Sequence, residues 1–533
     1  MLRCFGRVSR RWTSLIGRSS SLRRPTLRIG GNPVKFESEL VPGMAPLAWV
    51  FTWTSAGERR LLHGSAVRVD EEWFMEGCHD QSEAGDLAAA ANVFGSGMCV
   101  GEDSVLVVTP SHTLESTYIY RFAGGWSVSN SLALLAAHHD FMPPWDSGYG
   151  GSVGSTVLGV DDCTKRLFRT RRGEILRYTY YNIELTLDGR VRQIRKPMPP
   201  AFGDYGGYIA YLRTVLGAVF AGSGRAGGYL PLAACSSGYD SACVAALAAS
   251  LGCEEALTLR TSLDGRDDSG RRVGEILGLR VHEFDRPDSL EESFEEVATF
   301  LATGVGWQGI YYVNFGHLLE GRVHTTGFHG GHIWDVNIEP NTVLARNLAA
   351  GCYLQEFRLW KNFIHIPVPM IAAVRHPDIA AISRSSEMSA FRIGGNYDRP
   401  IPRRILEEAG VPRACFAQAK RHVNQLFHAD PTRPGQPARR AFADAVEPAW
   451  TFAAAYGPAR LAWELRLQVY RYLSSFAARV PGVHRLCRGI VGDVSAFHQR
   501  HPLVALSFVA GLSVVAGRYR KFLGTRMPTS RPE

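Results

Sequence analysis

The sequence predicts a multidomain chain of mixed α/β and α+β class. An antiparallel β-rich N-terminal domain comes first, then a domain built on a parallel sheet, with a helical C-terminal part. Three observations carry this prediction. Residues 40–195 are short apolar runs broken by Gly, Asp and Asn, such as VLVV at 105–108 and YIY at 118–120, the texture of antiparallel strands. From about residue 203, strand-like and helix-like segments alternate, which implies parallel βαβ units. After Arg399 the pattern is mostly helical, with a Pro- and Arg-rich break at 430–440.

Taken in order, residues 1–36 contain eight Arg, one Lys and no acid. That is the composition of an organelle transit peptide, and a start codon placed too far upstream in an Arg-rich reading frame would look the same. No apolar core of a secretory signal is present in this stretch. The first domain, 37–200, contains a Gly-rich segment at 148–155 that reads as a loop, and ends at the linker-like KPMPP of 196–200. In the second domain, 201–430, the periodicity predicts a helix over 208–220, a strand over 229–234 and a helix over 241–251. A strand over 256–260, a helix over 268–279 and a strand over 281–284 follow. Ligands bind such sheets beyond the carboxyl ends of the strands, which points to the loops after residues 234 and 260. Residues 431–533 read as a helical region. Within it, 502–517 is uncharged for 16 residues, short of the ~20 a membrane span requires. A buried or peripheral helix is expected there, with a membrane-docking helix as the alternative.

The net charge of +9 is unevenly spread: residues 1–36 carry +9 and 396–533 carry +12, leaving −12 for 37–395. A basic total produced by two ends around an acidic middle does not support duplex binding, so no nucleic-acid partner is expected. The ten cysteines are scattered, without a CxxC pair or a Cys/His cluster at zinc spacing. Free thiols in a reducing, cytoplasmic compartment are the expectation.

The strongest local signal is Cys235-Ser236-Ser237-Gly238-Tyr239-Asp240-Ser241, between an apolar strand and an Ala-rich helix. A strand running through a small-residue turn into a helix start aims free backbone N–H groups and a positive dipole end at one point, a phosphate cradle. The hydroxyls of Ser236, Ser237 and Ser241 can donate to phosphate oxygens, and Asp240 sits where a phosphate-bridging Mg²⁺ would be held. No GxxxxGK[ST] occurs in the chain, so this is not a Walker site.

This loop resembles the SGGxDS loop of the ATP-pyrophosphatase type found in asparagine synthetases and related amide-forming enzymes. Ser236, Gly238, Asp240 and Ser241 match, while Ser237 stands where the family has its first Gly. Downstream, Asp267-Asp268 and His282 are similar to the acidic helix start and following His of that family. The stretch TGFHGGHIWD, 326–335, lies where the family carries a Gly-Gly-Asp-Glu loop. Here His332 replaces the expected acid, and Asp335 is the nearest carboxylate. The segment 396–421 resembles the late family segment whose Lys stabilises charge during acyl-adenylate formation. Lys420 is the candidate, with Arg403, Arg404 and Arg413 as alternatives, because developing phosphoryl and oxyanion charge requires a fixed cation.

The resemblance covers about 200–425, and more faintly 40–195. There, YIYR at 118–121 and WSVSNSLALL at 126–135 are similar to the closing hairpin and helix of the Ntn-hydrolase-like glutaminase domain of the family. That domain uses an N-terminal cysteine, whereas position 2 here is Leu2 and the nearest cysteine is Cys4. A degenerate glutaminase domain is therefore expected.

The resemblance implies an ATP-dependent, AMP-forming carbon–nitrogen ligase with ATP and Mg²⁺ as cofactors, Asp240 and Asp335 as metal ligands, and Lys420 or Arg404 as catalytic cations. Its partners would be a small-molecule or peptide carboxylate and an amine or ammonia, with homodimer formation open. A degenerate nucleotide-binding protein and a glutamine-hydrolysing asparagine synthetase are the alternatives. Three other patterns are set aside. GSGRAG at 222–227 fits GxGxxG but reads as a loop between helix and strand, His138-His139-Asp140 reads as a solvated helix end, and Cys235 reads as a buried strand residue.

Overall fold

The short apolar runs of the first domain pair into two sheets in the computed structural model, which describes residues 35–81, 87–143, 149–262, 264–285, 294–305, 309–346, 349–418 and 502–524. The strands are β1 (Glu37–Leu40), β2 (Trp49–Thr54), β3 (Arg59–His63), β4 (Arg68–Val69), β5 (Trp73–His79), β6 (Val93–Val100), β7 (Ser104–Val108), β8 (Thr117–Phe122), β9 (Gly125–Ser129), β10 (Arg166–Arg169), β11 (Gly173–Tyr178), β12 (Asn182–Thr186) and β13 (Val191–Ile194). One sheet has the order β1-β3-β2-β9-β8-β11-β10 and the other β13-β12-β7-β6-β5-β4. Pairing is antiparallel except where β1 lies parallel to β3. Trp49, Phe51, Trp53 and Trp126 of the first sheet meet Phe74, Met98 and Val107 of the second in a shared core. The β8–β9 hairpin leads into a helix, Leu132–His139, capped by the Ser131 hydroxyl.

The second domain is a five-stranded, all-parallel sheet of β14 (Leu230–Ala234), β15 (Glu255–Leu259), β16 (Arg280–Phe284), β17 (Arg322–Thr326) and β18 (Phe363–Pro367). Its order is β16-β15-β14-β17-β18. The chain winds outward from β14 in one direction, then returns to start again at β17. The crevice beyond the carboxyl ends of β14 and β17 is therefore the topological switch point of the sheet. The helix after β14, Tyr239–Ala249, is buried from Ala242 to Ala248, and its run of small residues lets it lie close to the sheet.

Three sequence expectations differ from the fold. Within the Gly-rich stretch 148–155, where the sequence predicts a loop, Tyr149–Gly154 is helical and Ser155–Leu158 forms a 3-10 turn. The GxGxxG stretch 222–227 is the end of the helix Tyr205–Gly227, which stops only at Gly228, whose φ of 72° is left-handed. His138 is buried, not solvated: its Nε2 meets Thr52 Oγ1 at 3.2 Å, and His139 Nε2 meets Ser127 Oγ at 2.8 Å. Both rings turn toward hydroxyls of the sheet instead of water.

The uncharged segment near the C-terminus is a buried helix, Pro502–Leu523, as one of the two readings expected. Phe508 stacks on Tyr149 at 3.6 Å, and the Tyr519 hydroxyl donates to Glu356 at 2.8 Å. Gly511 lies against the helix Phe294–Leu301, where a Cβ would come within 2.5 Å of the Leu301 side chain. Among the described residues no helix is long and apolar enough to cross a membrane.

One helix of the second domain, Leu354–Lys361, ties the two domains together. Gln355 donates to the carbonyls of Ser116 and Asn130, both at 2.6 Å, and Glu356 accepts from Ser131 at 2.7 Å. Arg358, 1% exposed, forks onto Glu76 with bonds of 2.7 and 2.9 Å and also bridges to Glu115. Burial pushes the Glu115 carboxyl up to about 7 against the pull of Arg358. Arg358→Met leaves two carboxylates buried without their cation. A loss of about 3–5 kcal/mol is expected, read as the shift in the urea unfolding midpoint.

His324 of β17 and its register partner His365 of β18 form a buried histidine layer with His112, the His365 ring centroid lying 6.4 and 6.3 Å from the other two. His324 Nδ1 donates to the Leu232 carbonyl (3.1 Å) and Nε2 accepts from the Tyr312 hydroxyl (3.2 Å). This arrangement holds the ring neutral. Burial pushes His324 down to about 4 and, with the nearby Arg358, Arg346 and Lys196, His112 down to about 3. The unfolded chain takes up protons from pH ~6.5 downward while these rings do not, so stability is full above that pH and falls toward pH 4. For His324 the loss is on the order of 3 kcal/mol. Unfolding midpoints across pH 4–7 are expected to drop more steeply in the wild type than in His324→Gln.

Candidate functional site

β14 delivers Cys235 to Gly238 to the switch point, and the Tyr239 helix begins there without a side-chain cap, since Gly238 occupies the cap position. The first-turn N–H groups thus point out of the sheet at the crevice. The loop is knotted internally: Ser236 and Ser241 hydroxyls lie 2.6 Å apart, and the Gly238 N–H donates to Ser236 Oγ at 3.1 Å. The Ser237 hydroxyl, at the position that departs from the family pattern, donates to Asp268 Oδ1 at 2.7 Å, and its N–H donates to the Asp268 carbonyl at 3.1 Å. The extra side chain is thereby turned to the loop after β15. Ser236, Ser237, Gly238, Asp240 and Ser241 are all partly accessible, and the structure brings the five together.

The segment after β17 closes over this loop. A Cβ on Gly327 would come within 2.5 Å of the Asp240 backbone, and one on Gly330 within 2.5 Å of Asp240 Cγ. Only glycine allows this approach. Asp335, buried, accepts from the Asn337 backbone and side chain at 3.0 and 3.1 Å through Oδ1. His332 is drawn toward His376, with ring centroids 5.4 Å apart, and burial pushes its ring down from the usual value.

Asp240 and Asp335 do converge, but on a guanidinium. Arg399 Nη1 donates to Asp240 Oδ2 at 2.6 Å, and Arg399 Nε lies 3.6 Å from Asp335 Oδ2. Arg399 itself is 5% exposed, and its guanidinium lies 4.8 Å from the centre of the Tyr397 ring. The buried Asp398 beside it accepts from the Ile393 and Gly394 N–H groups at 3.2 and 3.0 Å and so shapes the turn that presents Arg399. Burial pushes the Asp240 carboxyl above its usual range, against the pull of Arg399. For Arg399 burial works downward, but Asp240, Tyr397 and Asp335 outweigh it and hold the guanidinium above its usual value.

These residues, as placed, do not fit a protein-held Mg²⁺. Two carboxylates and one guanidinium sum to −1, and each unit charge within about 4 Å counts for roughly 4 kcal/mol at an effective dielectric of about 20. Among the described residues no group of three or more His, Cys, Asp and Glu is arranged to hold a metal ion.

The other expected cations lie elsewhere or outside view. Lys420 lies outside the described residues. The chain before it reaches the loop, where the Ala417 N–H donates to the Ser237 carbonyl at 2.6 Å. Arg404 is not brought to the loop: it stacks on Tyr205 at 3.9 Å and pairs with Glu408 and Glu387. Arg413 pairs with Glu407, and Arg403 donates to the Tyr239 hydroxyl, bracing the loop helix from behind. His282 hydrogen-bonds Glu255 at 2.7 Å, at the amino end of β15 and away from the loop. Cys235 is buried as expected, and burial pushes its thiol up to about 12. Arg399, which sequence reasoning did not single out, is the cation that joins Asp240 and Asp335. It lies within 396–421, but nothing local in the sequence marks it, since its pairing with Asp240 spans 159 positions.

No protein-family model matches the chain, and no curated protein is similar enough to it to count as a relative.

Gly330→Ala would force its Cβ into Asp240 and is expected to destabilise the protein by about 1–3 kcal/mol. Gly217→Ala, in the helix Tyr205–Gly227 with nothing within 4 Å, is expected to be neutral or slightly stabilising. Urea titration of the two variants side by side checks the contrast.

Proposed function

We propose that the chain is an ATP-dependent carbon–nitrogen ligase, AMP-forming and similar to asparagine synthetases. The observation that carries this reading is the position of the CSSGYDS loop. It opens at the switch point of a parallel sheet, with an uncapped helix start and the paired hydroxyls of Ser236 and Ser241 beside it.

In the proposed reaction an oxygen of the substrate carboxylate attacks the α-phosphorus of ATP. The bond to the β-phosphate oxygen breaks, and pyrophosphate leaves. An amine or ammonia then attacks the activated acyl carbon and AMP departs with its bonding electrons. The nitrogen loses a proton, and an amide remains. Adenylation is required because a carboxylate oxygen is a poor leaving group and AMP a good one.

In this reading the N–H groups of the loop and the hydroxyls of Ser236 and Ser241 hold the departing pyrophosphate. Ser237 fixes the loop through Asp268 and leaves the phosphates to its neighbours. Asp240 is held by Arg399, and Lys420 remains the proposed cation at the reacting phosphoryl group. The first domain is proposed as an Ntn-hydrolase-like remnant without glutaminase activity, so the nitrogen comes from free ammonia or an amine substrate. A cytoplasmic setting agrees with the eight described cysteines, which are all free.

A second reading, a nucleotide-binding protein without turnover, is favoured by the engagement of Asp240 with Arg399. ATP–pyrophosphate exchange across a panel of carboxylates, from aspartate to acyl amino acids and small peptides, separates the two. The ligase reading expects exchange that depends on one carboxylate and is abolished in a folded Asp240→Asn variant. Exchange unchanged in that variant overturns the site, and ATP binding with no exchange across the panel favours the second reading.

A further inference from the structure

The same two carboxylates that a phosphate site of this kind would use for a metal ion are already bridged, and the bridge is built on every side. Arg399 Nη1 meets Asp240 Oδ2 at 2.6 Å and Nε faces Asp335 Oδ2 at 3.6 Å. The remaining oxygen of Asp335 is taken by Asn337, at 3.0 Å from its backbone nitrogen and 3.1 Å from its amide. A Cβ on Gly331 would come within 2.5 Å of Arg399 Nη2, so the backbone of the β17 segment lies directly over the guanidinium. Tyr397 lies beside it, at 4.8 Å. A side chain held by two carboxylates, a ring and a backbone is a fixed part of the site.

We infer that Arg399 is the tethered cation of this site: its guanidinium stands between Asp240 and Asp335 where a divalent ion would stand, and the loop takes its anionic ligand without a metal ion held by the protein. Two consequences follow from charge. Arginine stays protonated at any physiological pH, so this cation cannot be chelated away. Its removal leaves two acids facing one gap with a charge of −2, which is a site for a divalent ion. The part of the inference that concerns the anionic ligand rests on the nucleotide reading above. The part that concerns the cation does not.

The test is Mn²⁺ titration of the full chain without nucleotide, following the electron paramagnetic resonance signal of free Mn²⁺, for the wild type, Arg399→Gln and Asp240→Asn. Wild type and Asp240→Asn are expected to give the same titration. Arg399→Gln is expected to take up one Mn²⁺ at least about tenfold more tightly than the wild type, and to lose it when combined with Asp240→Asn. Wild-type uptake of one Mn²⁺ that Asp240→Asn abolishes overturns the inference, as does an Arg399→Gln protein that binds no more tightly than the wild type. Should Arg399→Gln fail to fold, the wild type against Asp240→Asn still decides. Equilibrium dialysis of ATP with the wild type, with and without EDTA, closes the second part. Binding unchanged by EDTA is expected, and binding lost in EDTA overturns the metal-free site. Absence of ATP binding in both overturns the nucleotide reading and with it the ligand part of the inference, while the Mn²⁺ result still decides the cation.

Discussion

An arginine buried between two carboxylates is the interaction on which the relation of the two domains depends. Arg358 comes from the second domain, Glu76 and Glu115 from the first, and all three are nearly inaccessible. Taken separately, each would be a charge that burial disfavours. Assembled, the guanidinium forks onto Glu76 and bridges to Glu115, with Ser96 and Asn130 donating to Glu76 as well. The helix that carries Arg358 therefore has one seat on the first domain, because a shift of one turn would strand three charges. Gln355, Glu356 and the Tyr519 hydroxyl of the last helix then dock on the same seat. The apolar C-terminal helix thus receives a polar anchor that hydrophobic burial alone does not specify.

The same chemistry recurs at the switch point of the parallel sheet. Asp240, Arg399 and Asp335 repeat the acid–arginine–acid order, and again the three come from separate segments: the loop after β14, the segment after β17, and the chain leading into the helix Pro400–Glu408. In both places the guanidinium does what neither a hydrophobic contact nor a single hydrogen bond does, which is to tie three distant pieces of backbone to one group. The glycines of the second site follow from this. Gly327, Gly330 and Gly331 bring one backbone against Asp240 and Arg399, and a methyl group at any of them would separate the pieces that the charges hold together.

How much of this was legible in the sequence depends on the range of the interaction. The alternation of strands and helices from 203 to 284 is local, and each predicted strand matches an observed one to within a residue or two at its ends. The loop at 235–241 was legible for the same reason, since strand, turn and helix start are contiguous. The misread elements are those in which tertiary contact overrode a local signal. Glycines at 222–227 suggested a loop, yet the helix runs on until Gly228 supplies the left-handed residue that ends it. The paired histidines at the end of the Leu132 helix looked solvated, yet hydroxyls of the sheet lie within their reach. The two arginine bridges join residues 159 and 282 positions apart, and no periodicity or spacing encodes such a pairing. For Arg404, helical proximity prevailed: Glu408 one turn away captures a side chain that looked suited to a phosphoryl group.

What separates the two bridges is access. The carboxylates on Arg358 are at most 3% exposed, so that bridge is sealed into the join between domains, whereas the Asp240 side chain is 24% exposed. Asp240 Oδ1 is buried on the side of Gly330, where an added Cβ would come within 2.6 Å of it, so the exposure of Asp240 belongs to the rest of its side chain. The same chemistry, two acids on one arginine, therefore stands in two settings in this chain: sealed into the join between the domains at Arg358, and at the crevice beyond the parallel sheet at Arg399, where Asp240 keeps a partly exposed edge.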